Sequence, residues 1–153
     1  MIFLHLLLGI ILGKLYGYTL LFIIASVIPD IDHLYIILKN KLYRKDKLLD
    51  ALKNEEKYGL RFKTPLIHSF LGLIICTLIF YLIFFQAKLA LYFASAYLLH
   101  LLLDWPDKDK KQYLYPLKIE FEGALPIWSK QEKAATIFAL LAALTLFIKE
   151  YLP

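Results

Sequence analysis

The chain has 153 residues, of which 60% are apolar and 16% aromatic, with a formal net charge of +5 and a mean hydropathy of +0.61. A water-soluble fold of this size buries only about two-thirds of its accessible surface, too little to hide so much apolar area. This argues against an ordinary soluble domain, and the single cysteine, Cys76, excludes both a disulfide framework and a cysteine-based zinc site.

In chain order, residues 2–28 form an apolar stretch broken by Gly13-Lys14-Leu15-Tyr16-Gly17. It reads as one long helix or as a hairpin of two. Gly9, Gly13 and Gly17 form a repeated small-xxx-small pattern that permits close helix approach. With no basic leader and no small-residue cleavage site, this stretch reads as a retained first helix rather than a signal peptide. Pro29 is expected to stop the second run, because the residue before a proline avoids the α region.

Residues 39–63 follow, with nine Lys/Arg and four Asp/Glu, and a short interfacial helix is expected around Leu48, Leu49 and Leu52. Residues 65–86 and 88–105 approach the roughly 20 residues that a spanning helix needs. Thr64-Pro65 reads as the N-cap and first position of the earlier one, since proline lacks a donor that this position leaves unused. Residues 107–133 carry six Lys/Arg and five Asp/Glu among prolines and aromatics, the pattern of an ordered surface loop. Ser129 with Glu132 makes a capping box that opens a last apolar helix running to about residue 152.

The expectation is an all-α integral membrane bundle of about four to five helices, in one membrane domain over residues 1–153. Its helices lie near 2–16, 18–28, 65–86, 88–105 and 130–152, with loops near 39–63 and 107–129. Folded as two hairpins and a last helix, the chain puts Lys14, Lys88 and Lys149 on one side and the other fifteen basic residues opposite. Positive charge favours the cytoplasmic side. The two polar loops and the N-terminus are therefore expected there, in an inner membrane.

The polar residues of the apolar segments also sort to that face. They are His5, the run Pro29-Asp30-Ile31-Asp32-His33, His68, and the pair His100 and Asp104, four apart on one helix face. All four histidines of the chain are in this set. Imidazoles and carboxylates together suit Zn²⁺, Mn²⁺ or Fe. A carboxylate near hydrocarbon costs about 2.5–3.5 kcal/mol even on lenient scales, and a divalent cation offsets that cost. Each residue has a plainer use: His5 at a helix end, Asp30 or Asp32 as an N-cap, Asp104 as a helix stop, and His100 with Asp104 as a hydrogen-bonded pair. Their convergence on one depth favours a shared metal site.

The same residues carry a family likeness. His5, Val27-Ile28-Pro29-Asp30-Ile31-Asp32-His33, His68-Ser69, the run from Ala96 to Asp104, and Tyr115-Pro116-Leu117 resemble the LexA-binding, inner membrane-associated metal-dependent hydrolase family (DUF457, YdjM-like). The resemblance covers residues 5 to about 133 and implies a membrane-bound, metal-dependent hydrolase with His5, Asp30, Asp32, His68, His100 and Asp104 as ligands. A histidine-arginine pair usual in the family upstream of His68 is missing, and Arg61 or Lys63 stands where its cationic role would fall.

The resulting expectation is hydrolysis of an ester or phosphoester, such as a lipid, with one or two divalent ions, zinc first and manganese second. Asp32 or His33 would be the general base or would orient a ligand, and Arg61 and Lys63 would hold an anionic headgroup. The rival expectation is a structural metal that pins helix ends, with the basic loops binding a partner protein or anionic lipid. Nucleic acid is disfavoured, because nine acids are interspersed in the two polar stretches.

Overall fold

A computed structural model describes residues 2–44, 47–48, 50–51, 63–126 and 129–151. The elements are α1 (Ile2–Tyr16), α2 (Thr19–Val27), a 3₁₀ turn (Ile28–Asp30), α3 (Ile31–Lys39), α4 (Phe70–Phe84), α5 (Ala87–Asp104) and α6 (Lys130–Tyr151). The described residues are helices and loops with no strand, only two isolated bridges, Asp107 with Leu125 and Lys111 with Phe121. Thr19–Lys39, Ala87–Asp104 and Lys130–Lys149 are long and apolar enough to cross a membrane, while Ile2–Tyr16 and Phe70–Phe84 are shorter.

Residues 2–28 form a hairpin, and the turn explains why. The Gly13 carbonyl accepts from the Gly17 and Tyr18 amides at 2.9 and 3.1 Å, with Gly17 at φ +78°, a conformation that glycine adopts at no steric cost. The glycine pattern thus divides its labour. Gly17 makes the turn, whereas Gly9 lies against α2, where a Cβ would stand 2.9 Å from the Phe22 carbonyl.

Pro29 does not stop the second run. It enters the 3₁₀ turn at its first positions, where its missing N–H costs nothing, and the chain continues directly into α3. Thr64-Pro65 does not open the next helix either. α4 starts at Phe70, capped by Ser69, whose hydroxyl accepts from the Gly72 amide at 3.1 Å. Residues 64–68 form a turn closed by the His68 amide on the Thr64 carbonyl at 3.0 Å. At α6 the expected cap is present: Ser129 Oγ accepts from the Glu132 amide at 3.1 Å. Of the expected interfacial helix, Leu48 and Ala51 pack with Ile36, Ile37 and Leu42. Leu49, Leu52 and Arg61 lie outside the described residues.

The core runs along α5, which buries Ala90, Phe93, Ala96, Tyr97, His100, Leu101 and Asp104. Phe22 and Ala25 of α2 and Tyr113 of the following loop join it. The tyrosine hydroxyls tie distant segments to this helix. Tyr97 donates to the Ile67 carbonyl at 2.6 Å and Tyr113 to the Leu101 carbonyl at 2.9 Å. These bonds fix the turn carrying His68 and the loop after Asp104 against one end of the bundle.

Candidate metal centre

Every sequence-predicted donor falls at that end. His5 comes from the first turns of α1, Asp30 from the 3₁₀ turn, Asp32 and His33 from the start of α3, His68 from the turn before α4, and His100 and Asp104 from the end of α5. His5, Asp30, Asp32, His68, His100 and Asp104 are buried, and His33 is the most open, with 24% of its side chain exposed. Asp30 stands at the N-cap position of α3 yet makes no side-chain capping bond. Its carboxylate faces the histidines instead.

The hydrogen bonds set which atoms face inward. His100 Nδ1 lies 2.7 Å from the Ser26 carbonyl. A carbonyl only accepts, so Nδ1 carries the hydrogen and Nε2 presents its lone pair. His68 Nδ1 lies 3.0 Å from Asp32 Oδ2, which also accepts from the Thr64 amide at 2.7 Å and the Thr64 hydroxyl at 2.9 Å. Asp32 therefore orients His68 and leaves Nε2 free to face the site. His5 Nε2 contacts Asp104 Oδ1 at 3.1 Å, and its ring stacks on His100 with centroids 3.8 Å apart. His33 Nδ1 contacts Asp30 Oδ1 at 3.2 Å.

The inward atoms then converge. His100 Nε2 is 3.4 Å from Asp104 Oδ2 and 3.8 Å from Asp30 Oδ1, and His68 Nε2 is 3.6 Å from the same Asp104 oxygen. These separations are too long for hydrogen bonds. They match the roughly 3.4 Å between neighbouring ligand atoms when each sits about 2.1 Å from a tetrahedral ion. Both Nε2 atoms, with Asp30 Oδ2 and Asp32 Oδ1, are buried with no hydrogen-bond partner among the described residues. Orphaned donors and acceptors in a dry site are costly, and an ion among them would satisfy the set.

Three overlapping groups have donor atoms within 4.8 Å of one another: His5, His100 and Asp104; Asp30, His68 and His100; and Asp32, His33 and His68. The residues present thus fit a divalent ion. The imidazoles favour zinc or iron, and the carboxylates allow manganese.

Lys63 enters the site from the loop, although in a different use from the anion-binding one the sequence suggested. Its side chain is buried, with Nζ 2.9 Å from Asp104 Oδ2, 3.2 Å from Asp107 Oδ2 and 3.3 Å from Asp109 Oδ2. Burial works to lower its pKa, but the Asp104, Asp109 and Asp107 carboxylates outweigh that and raise it above the ordinary lysine value. Asp107 is pushed up, chiefly by burial. Lys111 donates to the Asp107 and Asp109 carbonyls, and burial together with Lys63 lowers its pKa to about 8.

Sequence reasoning missed Thr64, Ser26, Asp107 and Tyr97 as supports of the site. Asp107, three residues after Asp104, carried a usable signal in its spacing. Ser26 carried none, because its contribution is a main-chain carbonyl.

A family model described as YdjM inner membrane protein matches residues 1–152, and the chain belongs to that family. No curated protein and no solved structure matches it.

Proposed function

We propose that this member of the YdjM inner membrane protein family is a membrane-bound, metal-dependent hydrolase acting on an ester or phosphoester, such as that of a lipid. One observation carries the reading. The Nε2 lone pairs of His68 and His100 and the Asp30 and Asp104 carboxylates converge at ligand-to-ligand separations in a buried site, with both Nε2 atoms lacking a hydrogen-bond partner among the described residues.

In this reading His68, His100, Asp30 and Asp104 hold a divalent ion, zinc first and manganese second, with His5 supporting Asp104 from its other oxygen. Bound there, the ion would polarise a carbonyl or phosphoryl oxygen and acidify water. Asp32 and the Ser26 carbonyl lock the two imidazoles in the tautomer that binds metal, the usual job of the partners behind a ligand. His33, held by Asp30 and reaching the surface, is placed to accept a proton from an entering water. The excess of basic residues in the loops supports a site facing the cytoplasm, where an anionic headgroup would meet them.

A structural ion is the rival, and the deep burial of six of the seven donors favours it. Structural sites are closed, whereas catalytic ones keep an open position. Detergent-purified protein loaded with Zn²⁺ or Mn²⁺ is expected to release phosphate or acyl product from a panel of phosphoester and ester lipids. H100A and H68A are expected to lose that activity. No product from any class, or product unchanged in H100A, would refute the hydrolase reading.

A further inference from the structure

We propose that the Lys63 ammonium is a resident cation of the centre. It fills the position among Asp104, Asp107 and Asp109 that a second divalent ion would otherwise take, and so limits the centre to one metal ion. This rests on the reading above for the ion on the imidazole side of Asp104, while the geometry of Lys63 stands independently of it.

Three carboxylate oxygens surround Nζ at 2.9, 3.2 and 3.3 Å, and only 5% of the lysine side chain is exposed. Lys63 is the ammonium seated among the three carboxylates, and even with Lys111 close by two ammoniums share three carboxylates, a pocket that a divalent ion would match better. Asp107 Oδ1 records the mismatch: it is buried without a hydrogen-bond partner among the described residues. Lys111 does not take up this oxygen, because its ammonium bonds to the main-chain carbonyls of Asp107 and Asp109 and shapes the loop instead.

Asp104 is the shared wall. Its Oδ2 faces His68 and His100 on one side and Lys63 on the other. The donors on the two sides differ in kind. The His68 and His100 side mixes nitrogen and oxygen, whereas the Lys63 side has oxygen alone, a set that suits magnesium or manganese. The ammonium already occupies the point within 3.3 Å of all three carboxylates, so a divalent ion cannot enter that position without displacing it. The tethered lysine is always present, so the second ion is excluded.

The test is metal content per chain, by elemental analysis of the full-length protein in detergent after dialysis against Zn²⁺ with excess Mn²⁺. Wild type and K63R are expected to hold one ion. K63M, of similar length and no charge, is expected to hold two, and K63M/D107N to return to one. A merely structural lysine would instead leave K63M with no more ions than wild type, and that result overturns the proposal, as do two ions in wild type. If K63M does not fold in metal-free buffer, added Mn²⁺ is expected to restore its helical circular dichroism and a single gel-filtration peak. Failure of Mn²⁺ to restore K63M, or K63Q in its place, also overturns it. The two readings fail separately. No ion in wild type with one in K63M keeps the role of Lys63 and sinks the imidazole-side centre. One ion in both sinks the role of Lys63 alone, and no ion in either sinks both.

Discussion

Two helices of this protein, α5 and α6, both qualify as membrane spans by length and composition, yet they live in different surroundings. In α5, 39% of the spanning window is buried inside the protein, against 11% in α6. The buried positions of α5 recur at helical spacing along one stripe from Ala90 to Asp104, and the stripe ends in His100 and Asp104. Among its described residues α6 buries Ala139 and Ala143, leaving Phe138, Leu141 and Ile148 exposed on a face suited to lipid. Apolar character therefore marks a span without saying what the span does. A stripe that the protein itself encloses can carry polar chemistry, because neighbouring segments satisfy the groups that lipid cannot.

The comparison is broken most directly at the end of α5. D104A removes the carboxylate that faces His5, His68, His100 and Lys63 together. Breaking a buried ion pair from one side costs about 3–5 kcal/mol. Thermal unfolding in detergent is expected to show a drop of that size, along with loss of bound metal. A D104A protein as stable as wild type would mean that the charges around it are not buried in the folded state.

Matched phenylalanine truncations sharpen the contrast. Phe93 of α5 is 2% exposed and stacks on Phe80 with centroids 4.8 Å apart, whereas Phe138 of α6 is 78% exposed. F93A is expected to cost about 3 kcal/mol through the cavity it leaves, and F138A no more than about 0.5 kcal/mol. Equal losses in the same unfolding assay would show that α6 is packed against something that covers Phe138. A smaller effect than that of F93A belongs to Y97F, which removes one hydroxyl bond to the Ile67 carbonyl. About 1 kcal/mol is expected, and metal affinity should weaken with it, because that bond braces the turn carrying His68. Unchanged affinity would mean that Asp32 alone holds the ring.

Much of the site was legible before any coordinates. Histidine and aspartate are so costly at membrane depth that their presence there marks them, and the His100–Asp104 spacing already put both on one face. The errors came where a local signal was overridden from a distance. Thr64 looked like a helix cap, but its amide and hydroxyl serve Asp32 from 32 residues away. Pro29 looked like a stop, but a proline at the head of a 3₁₀ turn loses no hydrogen bond, so the helix resumes and swings Asp30 and Asp32 toward the histidines. Lys63 looked like a surface cation for an anionic headgroup, yet Asp104 at the end of α5 and Asp107 and Asp109 in the loop after it draw it inward.

The sequence by itself determined that the chain is a helical membrane protein and which side chains are available to bind an ion. Composition and periodicity are properties of neighbours along the chain, and they suffice for that much. Only the tertiary structure decided which nitrogen of each imidazole faces the centre, that Asp32 meets the Nδ1 of His68, and where the lysine charge rests. Those choices depend on partners such as Asp104 for His5, 99 residues apart, and the Ser26 carbonyl for His100, 74 residues apart, which meet only when the helix ends pack together.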